Sequence, residues 1–233
     1  MNVDGYFNLK KLDWWFDNRD RPVILDIGAY NGEDSKIYFD LLKNVKLYAF
    51  EADPTVCEIF KKDCHSYMEN DNFQLIEKAV SNSDKYINWH SCVIDRELDE
   101  YPKEVPDYYG NSGPSGTSKK PTGHLQQYKH ITFSEPAVIP SIKLDTWLDK
   151  MNIDIIDFIH CDVNGGEREF FEGAKETLNN NTKFLWIEEL YDSGFWEDTK
   201  MEAKDLSEYL YNFDRVEKIG SNVLWVNRER NNK

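Results

Sequence analysis

The stretch RPVILDIGAYNGEDS, residues 21–35, decides the fold. The apolar residues Val23, Ile24 and Leu25 run up to Asp26, and after Ile27 come Gly28 and Gly32, four positions apart. Glu33, Asp34 and Ser35 then stand where a helix begins. A buried strand that closes on an aspartate and a glycine turn is suited to holding a ligand. Glycine lets the backbone approach it closely, and the next helix offers its free N–H groups.

The rest of the chain repeats this alternation. Strands are expected at Val23–Ile27, 46–52, 73–80, 155–162 and 183–189, with helices at 33–42, 54–68 and 167–178. Pro54 falls in the first turn of the second helix, where its missing N–H does no harm. RVEKI and NVLWV flank Gly220 and Ser221 like a hairpin. Short apolar strands separated by helices imply an α/β fold. The expected architecture is a doubly wound, mostly parallel Rossmann-like sheet, with a C-terminal antiparallel hairpin added at its edge. One domain over residues 1–233 is expected, with a long, poorly periodic insertion at 89–140. Inside it, residues 110–123 hold four glycines and two prolines, which suits a lid or acceptor-binding loop that orders on binding.

Composition narrows the partners. Against 43 acidic residues stand 28 basic ones, a net charge of −15 that repels phosphate backbones and acidic lipid. Neither duplex nucleic acid nor a membrane surface is expected as a partner. No apolar run approaches the roughly 20 residues of a membrane span, and the first residues lack a basic-then-apolar signal pattern. Cys57, Cys64, Cys92 and Cys161 form no CxxC pair and read as reduced thiols, so a cytoplasmic location is expected.

Glu51 ends the second strand, 25 residues after Asp26. An acid there is placed to accept hydrogen bonds from both ribose hydroxyls of an adenosine-containing cofactor. Without a ligand, its burial would cost desolvation and gain little. The turn from Gly28 to Gly32 lacks the GxGxxG of dinucleotide sites, and Glu33 and Asp34 would oppose a pyrophosphate. They suit a cation instead. S-adenosylmethionine carries a sulfonium and an ammonium, and Asp26 can face the ammonium directly or through water.

Six segments in order resemble the FkbM family of S-adenosylmethionine-dependent methyltransferases. DIGAYNG (26–32) is similar to the family's glycine-rich first motif, FEADP (50–54) to its ribose-binding strand end, and KAVSN (78–82) to the segment lining the adenine. SIKLDTWL (141–148) resembles the lead-in to the fourth strand, DVNGGEREFFEGAKETL (162–178) the family hallmark, and NVLWV (222–226) the last strand. The chain departs from the family at Asn164 (usually Glu), at Gly166 (usually Ala) and at His160-Cys161, where Lys and an apolar residue are common. Asn31 sits one place later than the commoner Asn. The resemblance implies methyl transfer to oxygen. It puts Asp26, Gly28, Tyr30, Asn31, Gly32 and Ser35 around the methionine half of the cofactor, Glu51, Ala52 and Asp53 at the ribose, and Ala79 at the adenine.

Methylating a hydroxyl requires an aligned acceptor and a base for its proton. Asp162 and Glu167, at the fourth strand's end and the next helix start, are the first candidates, with Glu188 as a further carboxylate. Asp162 and Glu188 could instead hold a divalent metal that lowers the hydroxyl's pKa. Glu189 shares that strand end. His160 reads as a core residue, while His124 and His130 read as surface residues that a lid could bring inward. Tyr101, Tyr108, Tyr109 and Tyr128 suit either stacking on sugar rings or packing on their own domain. The expected acceptor is a hydroxyl of a sugar in a glycan or glycosylated small molecule. The rival readings are nicotinamide-dependent oxidoreduction, methyl transfer to nucleic acid or protein, and a catalytically silent module that binds the cofactor or a partner.

Overall fold

In a computed structural model of the chain, residues 20–98, 106–188, 194–197, 199, 201 and 203–230 are described. The strands are β1 (Val23–Ile27), β2 (Lys46–Glu51), β3 (Phe73–Glu77), β4 (Ala79–Val80), β5 (Tyr86–Trp89), β6 (Cys92–Ile94), β7 (Ile131–Phe133), β8 (Ala137–Ile142), β9 (Ile156–Cys161), β10 (Thr182–Ile187), β11 (Phe213–Ile219) and β12 (Asn222–Asn227). The helices are α1 (Glu33–Leu41), α2 (Pro54–Asp63), α3 (His65–Met68), α4 (His124–Gln127), α5 (Leu144–Met151), α6 (Glu167–Asn181) and α7 (Ala203–Tyr209).

Seven strands form the main sheet in the order β11-β12-β10-β9-β1-β2-β3, and β12 alone runs against the others. The chain leaves β1 toward β2 on one side and returns through β9 on the other. The crevice at the carboxyl ends of these strands is therefore the topological switch point, where open α/β sheets bind ligands. Alternation along the strands sends Leu25, Ile27, Ile159, Cys161 and Leu185 to one face, under α5, α6 and α7. Ile24, Phe158, Phe184 and Trp186 go to the other, packed with Tyr38 of α1 and Phe60 of α2.

Local detail bears on four expectations. The expected strand at 73–80 breaks at Lys78, whose N–H donates to the Ile76 carbonyl at 2.9 Å, and Ala79–Val80 leave the main sheet to pair with Ser141–Ile142. Residues 141–148, expected as the lead-in to the fourth strand, comprise the end of β8 and most of helix α5, which precedes β9 and buries Leu144, Trp147 and Leu148 on one face. The expected C-terminal antiparallel hairpin lies at the sheet's edge, with β12 paired to β10 and β11 outermost. The insertion is less irregular than its sequence suggests. Its strand pairs join residues far apart in the chain, such as Cys92 with Phe133, and each strand is too short to reveal a period. No helix among the described residues is long and apolar enough to cross a membrane.

Candidate cofactor and active site

The strand-to-helix turn after β1 is shaped by backbone crowding. Gly28 has φ +87°, and a Cβ there would overlap the Asp162 carbonyl oxygen. Its N–H and that of Ala29 both donate to the Phe50 carbonyl, at 2.9 and 3.0 Å, while the Asp162 N–H donates to Ile27 at 2.9 Å. The ends of β1, β2 and β9 are thereby drawn together into one floor. Gly32, at φ +77°, caps α1 and faces away from that floor, since a Cβ would run into Cys64 Sγ. Two non-glycine residues with left-handed backbone, Tyr30 (φ 47°) and Asn164 (φ 46°), flank the cleft. Such strain gathers at binding sites because the surroundings over-determine it.

The crevice holds about 630 Å³ out to its open mouth. Its floor and walls include Gly28, Tyr30, Glu51, Ala52, Asp53, Ala79 and Asp162 among the residues expected at the site. Val56, Val80, Ile87 and Trp89 add an apolar end, and Gly113, Pro114, Gly116 and Ser118 of the insertion form part of its wall. Glu51 is buried and fixed by three backbone donors: Tyr30 N–H to Oε2 at 2.9 Å, and Ala52 and Asp53 N–H to Oε1 at 2.7 and 2.8 Å. Burial raises its pKa to about 7 against the pull of these N–H groups. Asp53 has two structural tasks. Oδ1 caps α2 at the N–H groups of Thr55 (2.9 Å) and Val56 (3.4 Å), and Oδ2 accepts the Trp89 indole N–H at 3.2 Å. The Tyr30 phenol is pushed up to about 12 by burial.

Other expected site residues lie off this surface. The Asp26 carboxylate, expected to face the ammonium, turns to α1 and β9: it accepts the Ser35 hydroxyl at 2.5 Å and lies 3.3 Å from His160 Nδ1. Asn31 reads its own helix start, with Oδ1 accepting the Glu33 N–H at 3.1 Å, and its amide donates to the Tyr109 hydroxyl at 3.0 Å. Glu167 is buried at the start of α6 and accepts the Gly165 N–H at 3.0 Å. Glu188 bonds His160 Nε2 at 3.2 Å and the Trp186 indole at 3.0 Å. Burial pushes Glu188 up, but His160 and Trp186 outweigh it and hold the carboxyl below its usual value. Burial alone would lower the His160 pKa, yet Asp26 and Glu188 keep it well above the ordinary value. Of the three candidate bases, only Asp162 lines the crevice. Glu189 and Tyr101 lie outside the described residues. Among the described residues no group of three or more His, Cys, Asp or Glu side chains converges as a metal site would require.

The insertion's side chains are committed elsewhere. Tyr108 and Tyr109 both donate to Asp63, and the Tyr128 ring packs 4.9 Å from His124. His124, expected at the surface, is buried among Tyr128, Phe133, Phe195 and Trp196, and burial lowers its pKa to about 4. Sequence reading missed Trp89 and the Lys119–Glu169 pair (2.5 Å), which ties the insertion to α6 beside the crevice. Neither had a local signal, because both arise from contacts between distant segments.

The model of the methyltransferase FkbM domain matches residues 26–217, which takes in this floor and both sides of the switch point. The chain belongs to the FkbM methyltransferase family. The 2-O-methyltransferase NoeI of Sinorhizobium fredii (strain NBRC 101917 / NGR234) is 30% identical over 175 residues, which make up 73% of this chain and 66% of that protein. The crystal structure of a methyltransferase FkbM from Methylobacillus flagellatus KT shares the fold, with a TM-score of 0.51 at 14% identity over 89% of this chain. This FkbM-family chain spans 44% of the length of that crystallised chain, and just under two thirds of NoeI.

Proposed function

We propose that this chain is an S-adenosylmethionine-dependent O-methyltransferase acting on a hydroxyl of a sugar, in a glycan or a glycosylated small molecule. One observation carries the cofactor: Glu51, fixed by three backbone N–H groups, faces a crevice whose backbone floor comes to the surface at Gly28. The crevice fits the cofactor. Glu51 would accept the ribose hydroxyls, Ala79, Val80, Ile87 and Val56 would enclose the adenine, and Tyr30, Gly28 and Asp162 would bound the methionine half. Carboxylates outnumber cations on its walls, as a sulfonium and ammonium favour. The bound cofactor would supply an electrophilic methyl carbon whose leaving group is a neutral thioether.

Asp162, at the crevice end of β9, would take the acceptor's proton as its oxygen bonds the methyl carbon. Glu167 is spoken for by the Gly165 N–H, and Glu188 by His160 and Trp186. Oxygen as the acceptor atom is supported by the relative named a 2-O-methyltransferase. A neutral polyol is supported by the charge of −15, which disfavours anionic acceptors. A cytoplasmic site of action is the matching location, supported by four buried free cysteines.

The cofactor claim is tested by calorimetry with S-adenosylhomocysteine. Glu51→Ala should weaken binding by about 1.5–3 kcal/mol for each charged hydrogen bond lost; equal affinity would remove Glu51 from the ribose. The acceptor claim is tested by offering a radiolabelled methyl donor with separate pools of glycans, RNA, proteins and lipids. Label in RNA or protein and none in carbohydrate would overturn it.

A further inference from the structure

The register of the central sheet sets Asp26 of β1 directly beside His160 of β9, and His160 beside Trp186 of β10. All three side chains lie on the face covered by α1, one rung beneath the residues that lead into the crevice floor. His160 Nδ1 is 3.3 Å from Asp26 Oδ1 and 3.0 Å from the Tyr38 hydroxyl, and Nε2 is 3.2 Å from Glu188 Oε1. Asp26 also accepts from Ser35 in the first turn of α1, and Glu188 from the Trp186 indole. The imidazole is buried and joins a carboxylate under the 28–32 turn to one at the end of β10.

We infer that His160 is a positioning residue for the crevice, a bridge that holds the 28–32 turn and the Asp162 strand end in the geometry the cofactor needs. The inference rests on the cofactor reading above. Asp26 stands two residues before Gly28, and His160 two before Asp162. The backbone between them is already shared, through the Asp162 N–H to Ile27 bond of 2.9 Å. With the bridge removed, the buried Asp26 and the part-buried Glu188, both near enough to Asp34 to act on its charge, lose the group that links them. Their repulsion acts on the two chain segments that floor the crevice. Lower on the same strand the fully buried Phe158 contributes apolar packing, its ring centroid 5.7 Å from that of Tyr38.

The test compares His160→Leu, which removes both ring nitrogens, with His160→Gln, which keeps one donor. Phe158→Leu, on the same strand face, is the packing control. S-adenosylhomocysteine affinity should fall by at least about tenfold in His160→Leu, equivalent to about 1.4 kcal/mol, and should be partly restored in His160→Gln. Phe158→Leu should lower the melting temperature and leave the affinity unchanged. In parallel, amide NMR of the unliganded proteins should move Gly28 and Asp162 in His160→Leu and leave them in place in Phe158→Leu. Unchanged affinity in His160→Leu, or a loss in Phe158→Leu proportional to its loss of stability, would overturn the inference. So would failure of both His160 variants to fold, which would make the residue purely structural. If the wild type binds no S-adenosylhomocysteine, the cofactor reading fails, and the amide shifts still decide whether His160 sets the crevice floor.

Discussion

Glu167 and Asp162 are five residues apart and sit in different surroundings. Burial raises the Glu167 pKa from 4.5 to about 7. The folded state therefore holds a proton on it between those pH values that the unfolded chain has lost. The sign follows: Glu167 makes stability fall as pH rises through that window, and the cost is complete above it. Glu167→Gln should match the wild type near pH 4.5 and exceed it at pH 8 by up to about 3 kcal/mol, read from urea unfolding at both pH values. A variant equally stable at pH 8 would mean that the native site holds the charge without penalty. Asp162→Asn should keep S-adenosylhomocysteine affinity and lose turnover by roughly 10²–10⁴-fold, the range for general-base work. Near-normal turnover would move the base elsewhere.

At the scale of elements, the glycine-rich segment 110–123, expected as a lid or acceptor-binding loop that orders on binding, is hydrogen-bonded to neighbouring segments. The Gly113 N–H donates to Cys92 at 3.1 Å and the Thr117 N–H to His90 at 3.0 Å, while the Thr117 hydroxyl reaches the Asn164 carbonyl at 2.7 Å. Tyr109 ties the preceding turn to both Asp63 and Asn31, so the insertion touches the 28–32 turn itself. Hydrogen exchange on the unliganded protein should find the Gly113 and Thr117 amides protected. Tyr109→Phe, which removes two hydrogen bonds, should speed their exchange and cost about 1 kcal/mol per bond. Rapid exchange at both amides in the wild type would restore the picture of a loop that orders only when ligand arrives.

Across the whole molecule the charge of −15 is a standing self-repulsion. Exposed pairs such as Arg228–Asp214 contribute little against it. Raising the ionic strength from about 20 mM to about 300 mM shortens the screening length from roughly 20 Å to roughly 6 Å. The melting temperature should therefore rise by a few degrees, followed by circular dichroism. A fall would mean that specific ion pairs outweigh the net charge.

The sequence by itself determined the alternation of strands and helices, the glycine turn at 28–32 and the acid at 51. These signals are local: apolar periodicity, glycine where side chains cannot fit, and a carboxylate at a strand end. It also marked Asp162 through its place at the end of the fourth expected strand. Only the tertiary structure decided that Asp26 and Ser35 serve each other and His160, that Asp53 caps α2 and holds Trp89, and that Glu188 is bound to an imidazole. It alone placed β12 inside the sheet and paired Cys92 with Phe133 across the insertion. Those outcomes depend on which way a side chain turns once distant segments meet, and a hydrogen bond between residues 26 and 160 leaves no mark on the spacing of either.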